Sequence, residues 1–169
     1  MSYSVEVVAD FDPISPRDDD NLGTIYYSSQ RYKLGDECVD KSEIDRIIND
    51  PQMIHLPVYA YIHSGVCLNT TGFSCPWDSG MSGIIAVSKE DIRRRYGVKR
   101  ITAKLMEKVF NALRAEVEIY SAYINGDVFG FQVRDDNGDI VDSCYGFYSE
   151  QEALEEGNHS LNFHQNKAA

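Results

Sequence analysis

A cysteine nucleophile needs a base, and the block Thr70-Thr71-Gly72-Phe73-Ser74-Cys75-Pro76-Trp77-Asp78-Ser79-Gly80 holds the most reactive-looking combination in this chain. Cys75 stands in a glycine-bearing loop, Asp78 follows three residues later, and His63 and His55 lie upstream. A thiol, an imidazole and an orienting carboxylate are thus available for covalent catalysis. A thiolate attacks only where a neighbouring base or a helix N-terminus lowers its pKa, and nothing in the spacing fixes either histidine beside the sulfur. The competing expectation is an ordered loop that turns Phe73, Cys75 and Trp77 into the core and hydrogen-bonds itself through its Thr, Ser and Asp side chains. The ordered loop is the stronger expectation, so no residue is expected to be catalytic and the chain is not expected to be an enzyme.

Metal and phosphate chemistry find weaker footholds. Asp135, Asn137 and Asp139 alternate as in a calcium loop, but Gly138 is misplaced and no glutamate occupies the twelfth position. Asp18, Asp19 and Asp20 lack partners at defined spacing. No G-x-x-x-x-G-K-[ST] cradle is present. The four cysteines, at 38, 67, 75 and 144, form no C-x-x-C pair, so reduced thiols are expected rather than bridges or a zinc site. No cofactor and no metal are expected.

Charge is the stronger signal. The net charge is −11, yet residues 56–88 carry one acid, Asp78, and no lysine or arginine. Residues 1–50 and 119–169 each hold −7, while residues 89–118 hold +4. The basic stretch Lys89, Arg93, Arg94, Arg95, Lys99, Arg100, Lys104 and Lys108 has the density of a phosphate-contacting surface. With acidic segments on either side of it, self-neutralisation is the expected use, and direct nucleic-acid binding is the alternative.

Several elements must position these groups. Leu22 to Ser28 reads as a strand, and Ser42 is the expected cap of a short helix over residues 43–49. Leu56 to His63 and Val66 to Asn69 form a strand pair turned at Ser64-Gly65, and Gly83-Ile84-Ile85-Ala86-Val87 is a fully apolar strand. Ser88 opens a helix that Gly97 closes. From Thr102, Met106, Val109, Phe110, Leu113, Val117, Tyr120 and Ile124 recur on one face of a long helix. Val128 to Arg134 and Ile140 to Tyr148 flank Asn137-Gly138, a hairpin signal. A last acidic helix is expected over about 149–156, stopping at Gly157, with a frayed tail over 158–169. The class is α+β: an antiparallel sheet covered on one face by the long helix, with shorter helices, in a single domain over residues 1–169. No run of 18 apolar residues offers a membrane span, and the N-terminus shows no secretion signal.

Beyond the Thr70–Gly80 block, Asp20-Asn-Leu-Gly-Thr, Arg31-Tyr-Lys-Leu-Gly-Asp, Leu56-Pro-Val-Tyr, Gly126-Asp-Val-Phe-Gly-Phe and Val141-Asp-Ser-Cys-Tyr-Gly-Phe-Tyr make the chain, over about residues 11–156, resemble a family of small proteins of tailed bacteriophages and their prophages. One departure is Tyr145, where that family often has tryptophan. The resemblance implies a phage setting in a host cytoplasm and brings no functional residues with it. Set beside the charge, it leads to an expectation. The chain is an acidic interaction protein that disables a host defence nuclease complex, as an anti-CRISPR or anti-restriction factor, by mimicking DNA phosphates in a channel lined by Lys and Arg. The partner would be a basic host protein or ribonucleoprotein complex. The candidate contact residues are Asp10, Asp12, Asp18, Asp19 and Asp20, together with Asp135, Asp136, Asp139, Asp142, Glu150, Glu152, Glu155 and Glu156.

Overall fold

A strand apolar at every position is one covered on both faces, and Gly83 to Val87 is buried throughout. The computed structural model describes residues 2–168 and shows why. In chain order the first elements are β1 (Ser4–Ala9), a 3-10 turn at Pro16–Asp18, β2 (Thr24–Tyr27), β3 (Glu37–Cys38), α1 (Lys41–Asn49) and β4 (Met53–Ile62). β5 (Val66–Asn69), β6 (Ser79–Ser88), α2 (Lys89–Tyr96) and α3 (Ala103–Asn125) follow. β7 (Phe129–Arg134), β8 (Ile140–Phe147) and α4 (Glu150–Ala168) complete the described chain. Among the described residues no helix is long and apolar enough to cross a membrane.

The class is α+β, with antiparallel sheets and a long helix as the periodicity predicts. The contacts gather into two compact units, Pro16–Ser121 and a second one made from the residues up to Ser15 with those from Ala122 onward. The boundary falls inside α3, so no linker marks it in a sequence that suggests a single domain.

In the first unit five strands run in the order β3-β2-β6-β4-β5, antiparallel except for the short β2–β3 pair. The apolar half of β6 sits at the centre. Ile84 and Ala86 pack against Ile44 and Ile47 of α1. Ile85 points the other way, meeting Leu113 of α3 so closely over Gly23 that a β-carbon there would come within 2.7 Å of Ile85 and 2.5 Å of Leu113. Val109, Leu113, Val117 and Tyr120 are the buried stripe of α3. Each such aliphatic side chain removed from water contributes about 1.5–3 kcal/mol. Helix α1 is capped by Asp40, whose Oδ1 accepts from the Glu43 N–H at 2.9 Å, rather than by Ser42, whose hydroxyl donates to Asp40 at 2.6 Å. A carboxylate here also meets the positive end of the helix. Ser88 and Gly97 bound α2 as their types predict.

The second unit is a three-stranded antiparallel sheet, β1-β7-β8, with α4 laid on it. Its hairpin turns at Asp135–Gly138, where Asp135 Oδ1 accepts from the N–H groups of Asn137 and Asp139. Helix α4 does not stop at Gly157 but runs to Ala168, so the described part of the expected 158–169 tail is helical, and residue 169 lies outside the described residues. Gly157 is buried against the sheet, where a β-carbon would meet Val5 at 2.5 Å and Phe131 at 3.0 Å. The missing side chain admits close helix–sheet contact instead of ending the helix.

Candidate functional site

The uncharged block is built on the far end of the β4–β6 pair. The register runs from Met53 opposite Ser88 to Tyr61 opposite Ser79, with an irregularity where Val58 faces Gly83 and Tyr59 faces Met81. Ser82 is the extra residue of that bulge, and its hydroxyl donates to the Val58 carbonyl at 3.1 Å. Bulges re-aim the side chains beyond them, and Met81, the next residue out, is 50% exposed. The loop from Thr70 to Asp78 then closes over the same end. Asn69 Oδ1 accepts from the Gly72 N–H at 2.7 Å, Ser79 donates to the Cys75 carbonyl, and the Ile62 N–H reaches the Asp78 carbonyl at 3.0 Å.

The three residues of the cysteine hypothesis do meet, in the wrong order. Cys75 Sγ lies 3.9 Å from Asp78 Oδ2, and His63 Nδ1 lies 3.5 Å from the same oxygen. The carboxylate stands between thiol and imidazole. A nucleophile–base–orienter relay needs the imidazole in the middle, so this cluster has the members of such a relay without its connectivity. His55 is excluded as the base by register. It faces Ala86, six residues along β4 from Tyr61, or roughly 20 Å at the rise of a strand.

The loop also departs from the expected inward packing. Phe73 is half-buried beside Tyr61, ring centres 5.7 Å apart, and Cys75 is half-buried too, but Trp77 is 92% exposed. Pro76, Trp77 and Asp78 form the turn at the loop tip, and a tip residue has no layer to pack under. Trp77 and Met81 instead border an open groove of about 640 Å³ that Arg31, Tyr32, Lys41 and His63 also line. Sequence reasoning missed Arg31 and Lys41 because the segment itself has no bases. Both come from elsewhere in the chain.

The thirteen candidate carboxylates fall on both units. Asp18, Asp19 and Asp20 belong to Pro16–Ser121 and the rest to the other unit. Several have internal employment. Asp20 pairs with Arg95, Asp10 accepts from the Asp12 N–H, Asp135 holds the hairpin, and Asp136 accepts from the Ser2 N–H at 2.9 Å. Asp142 reaches across to α4, taking the Ser160 hydroxyl and lying 3.7 Å from His164 Nε2. The Ser160 hydrogen bond is the largest influence on Asp142; partial burial opposes it, and the Ser143 N–H and His164 add to it, so its pKa lies below the usual carboxylate value. Asp12, Asp18, Asp19, Asp139, Glu150 and Glu152 are exposed and make no ion pair among the described residues. Glu155 takes a hydrogen bond from Gln151, and Glu156 lies 3.7 Å from His159.

Self-neutralisation of the basic stretch is partial. Arg94 pairs with Asp91 and Arg95 with Asp20, whereas Arg93, Lys99, Arg100, Lys104 and Lys108 are exposed without an ion pair among the described residues. No three His, Cys, Asp or Glu side chains come together as a metal-binding group among the described residues.

No family model, curated protein or solved structure matches the chain.

Proposed function

We propose that the chain is an acidic interaction protein of phage or prophage origin. It occupies a basic nucleic-acid channel of a host defence nuclease complex in the host cytoplasm, as an anti-CRISPR or anti-restriction inhibitor. One observation carries this: α4 buries Ala153 and Gly157 against its sheet and turns Glu152, Glu155 and Glu156 outward. Residues three and four apart share a helix face, so these carboxylates stand in a row held by a packed helix rather than on a loose tail. A pre-positioned row of negative charge meets Lys and Arg with less ordering cost than a disordered acidic segment does. Asp139 and the exposed Asp18 and Asp19 extend the acidic surface on their own units.

The test is affinity capture from host lysate with the wild-type chain and with Glu152, Glu155 and Glu156 all changed to Lys. The wild type should retain a nuclease complex with a basic channel and block its cleavage of DNA; the variant should release it. Retention by the variant would remove α4 from the mechanism.

A further inference from the structure

The acidic reading leaves the groove beside Trp77 unused. An indole open to water at a loop tip offers its π face to a planar partner, and every nucleobase has a matching face. Two cations border the same groove. The Arg31 guanidinium lies over the Tyr32 ring, 5.2 Å from its centre, which holds the side chain in place without neutralising it. Lys41 begins α1. Neither makes an ion pair among the described residues, although the chain carries a net −11 and acids are abundant. The one carboxylate on the lining, Asp78, already has Cys75 and His63 beside it. The volume, about 640 Å³, lies within the roughly 300–1,000 Å³ of small-ligand sites.

We propose that this groove binds a nucleobase carrying a phosphate, with the base stacked on Trp77 and the phosphate held by Arg31 and Lys41. The ligand is either a free nucleotide or the same unit within a single strand. Ser28 and Ser29, on the strand-to-loop turn beside Arg31, supply hydroxyls at the rim.

Trp77 is the only tryptophan, so its fluorescence reports this groove alone. The full chain should be titrated with a deoxynucleoside monophosphate, the matching nucleoside, inorganic phosphate and a single-stranded oligodeoxynucleotide, and each titration repeated by calorimetry. Saturable quenching by the nucleotide, with markedly weaker responses to nucleoside and to phosphate alone, supports the proposal. Arg31→Gln and Lys41→Gln should each weaken it about tenfold, the size of one lost charge-assisted hydrogen bond, with circular dichroism unchanged. Tighter binding of the oligonucleotide than of the mononucleotide identifies a single strand as the source, and equal binding a free nucleotide. Absence of saturable binding by either, at millimolar ligand and by both readouts, overturns the proposal. So does binding that the Arg31→Gln, Lys41→Gln double variant retains.

Discussion

The guanidinium of Arg17 closes on the carboxylate of Asp36 through two parallel hydrogen bonds, Nε to Oδ1 at 2.9 Å and Nη2 to Oδ2 at 2.7 Å. Only 7% of the Arg17 side chain is exposed. Its remaining donors reach Glu116 at 3.2 Å, Asn21 at 3.1 Å and the Gly23 carbonyl at 2.6 Å. Glu116 in turn accepts from the Leu22 and Gly23 N–H groups, and Asp36 from that of Ile25. Burial works against the charge of Arg17, but the hydrogen bonds and attraction of Asp36 and Glu116 outweigh it and raise its pKa.

Arg17→Met therefore strands two carboxylates beside each other with their shared cation gone. Breaking a fully buried pair by removing one partner costs about 3–5 kcal/mol, and exposed pairs contribute under about 1 kcal/mol. The Asp36 and Glu116 side chains are still 21% and 15% exposed, so a loss of about 2 kcal/mol is expected. Denaturant unfolding of the variant should show a loss of that order. A loss under about 1 kcal/mol would mean that water satisfies these groups as well as the arginine does.

Gly157→Ala sets two effects against each other. Within an exposed helix the change stabilises by about 1 kcal/mol. Here the new methyl meets Val5 and Phe131, and overpacking costs about 1–3 kcal/mol. The variant should be less stable than the wild type. A higher melting temperature would show that α4 stands further from its sheet.

Asp142 sets a pH dependence. Its folded pKa is depressed below the unfolded value, so its contribution is present above the unfolded pKa, near 4, and is lost as pH falls through the folded pKa. Because the side chain is 44% exposed, solvent screening holds the contribution below about 1 kcal/mol. The stability gap between wild type and Asp142→Asn should be open at neutral pH and close on acidification past the carboxylate range. A gap independent of pH would show that the Ser160 contact does not depend on charge.

The Thr70–Gly80 loop should separate its two large aromatics. Trp77→Ala should change stability by no more than about 0.5 kcal/mol, as surface substitutions do. Phe73→Ala, half-buried against Tyr61, should cost about 1–2 kcal/mol, less than the 3–5 of a core phenylalanine. Emission from Trp77 in the free protein should have the long-wavelength maximum of an indole in water. Equal losses from the two substitutions would place the tryptophan inside.

What was legible in the residues was whatever follows from local pattern. The stripe from Val109 to Tyr120 announces α3, Ser88 and Gly97 bound α2, and Asn137-Gly138 makes the β7–β8 hairpin, each because a short segment determines its own conformation. The misreadings arose where long-range contact decides. Gly157 looked like a stop, and only its neighbours Val5 and Phe131 reveal it as a spacer. Trp77 looked like core because it is apolar, but its exposure depends on a turn tip with nothing above it. Asp142 looked like free surface charge until α4 brought Ser160 to it. The groove residues Arg31 and Lys41 were invisible as a pair for the same reason: nothing local ties them to position 77.

The register that places Ser4 opposite Arg134 also orders events during synthesis. All of Pro16–Ser121 has been made before β7 exists, so its five strands and their helices are available to form while β1 still has no strand to pair with. The N-terminal strand spends that interval as an unpaired edge, and closing so long a loop is among the slower steps in folding. A chain ending shortly after α3 thus contains every strand of one sheet and, of the other, only β1.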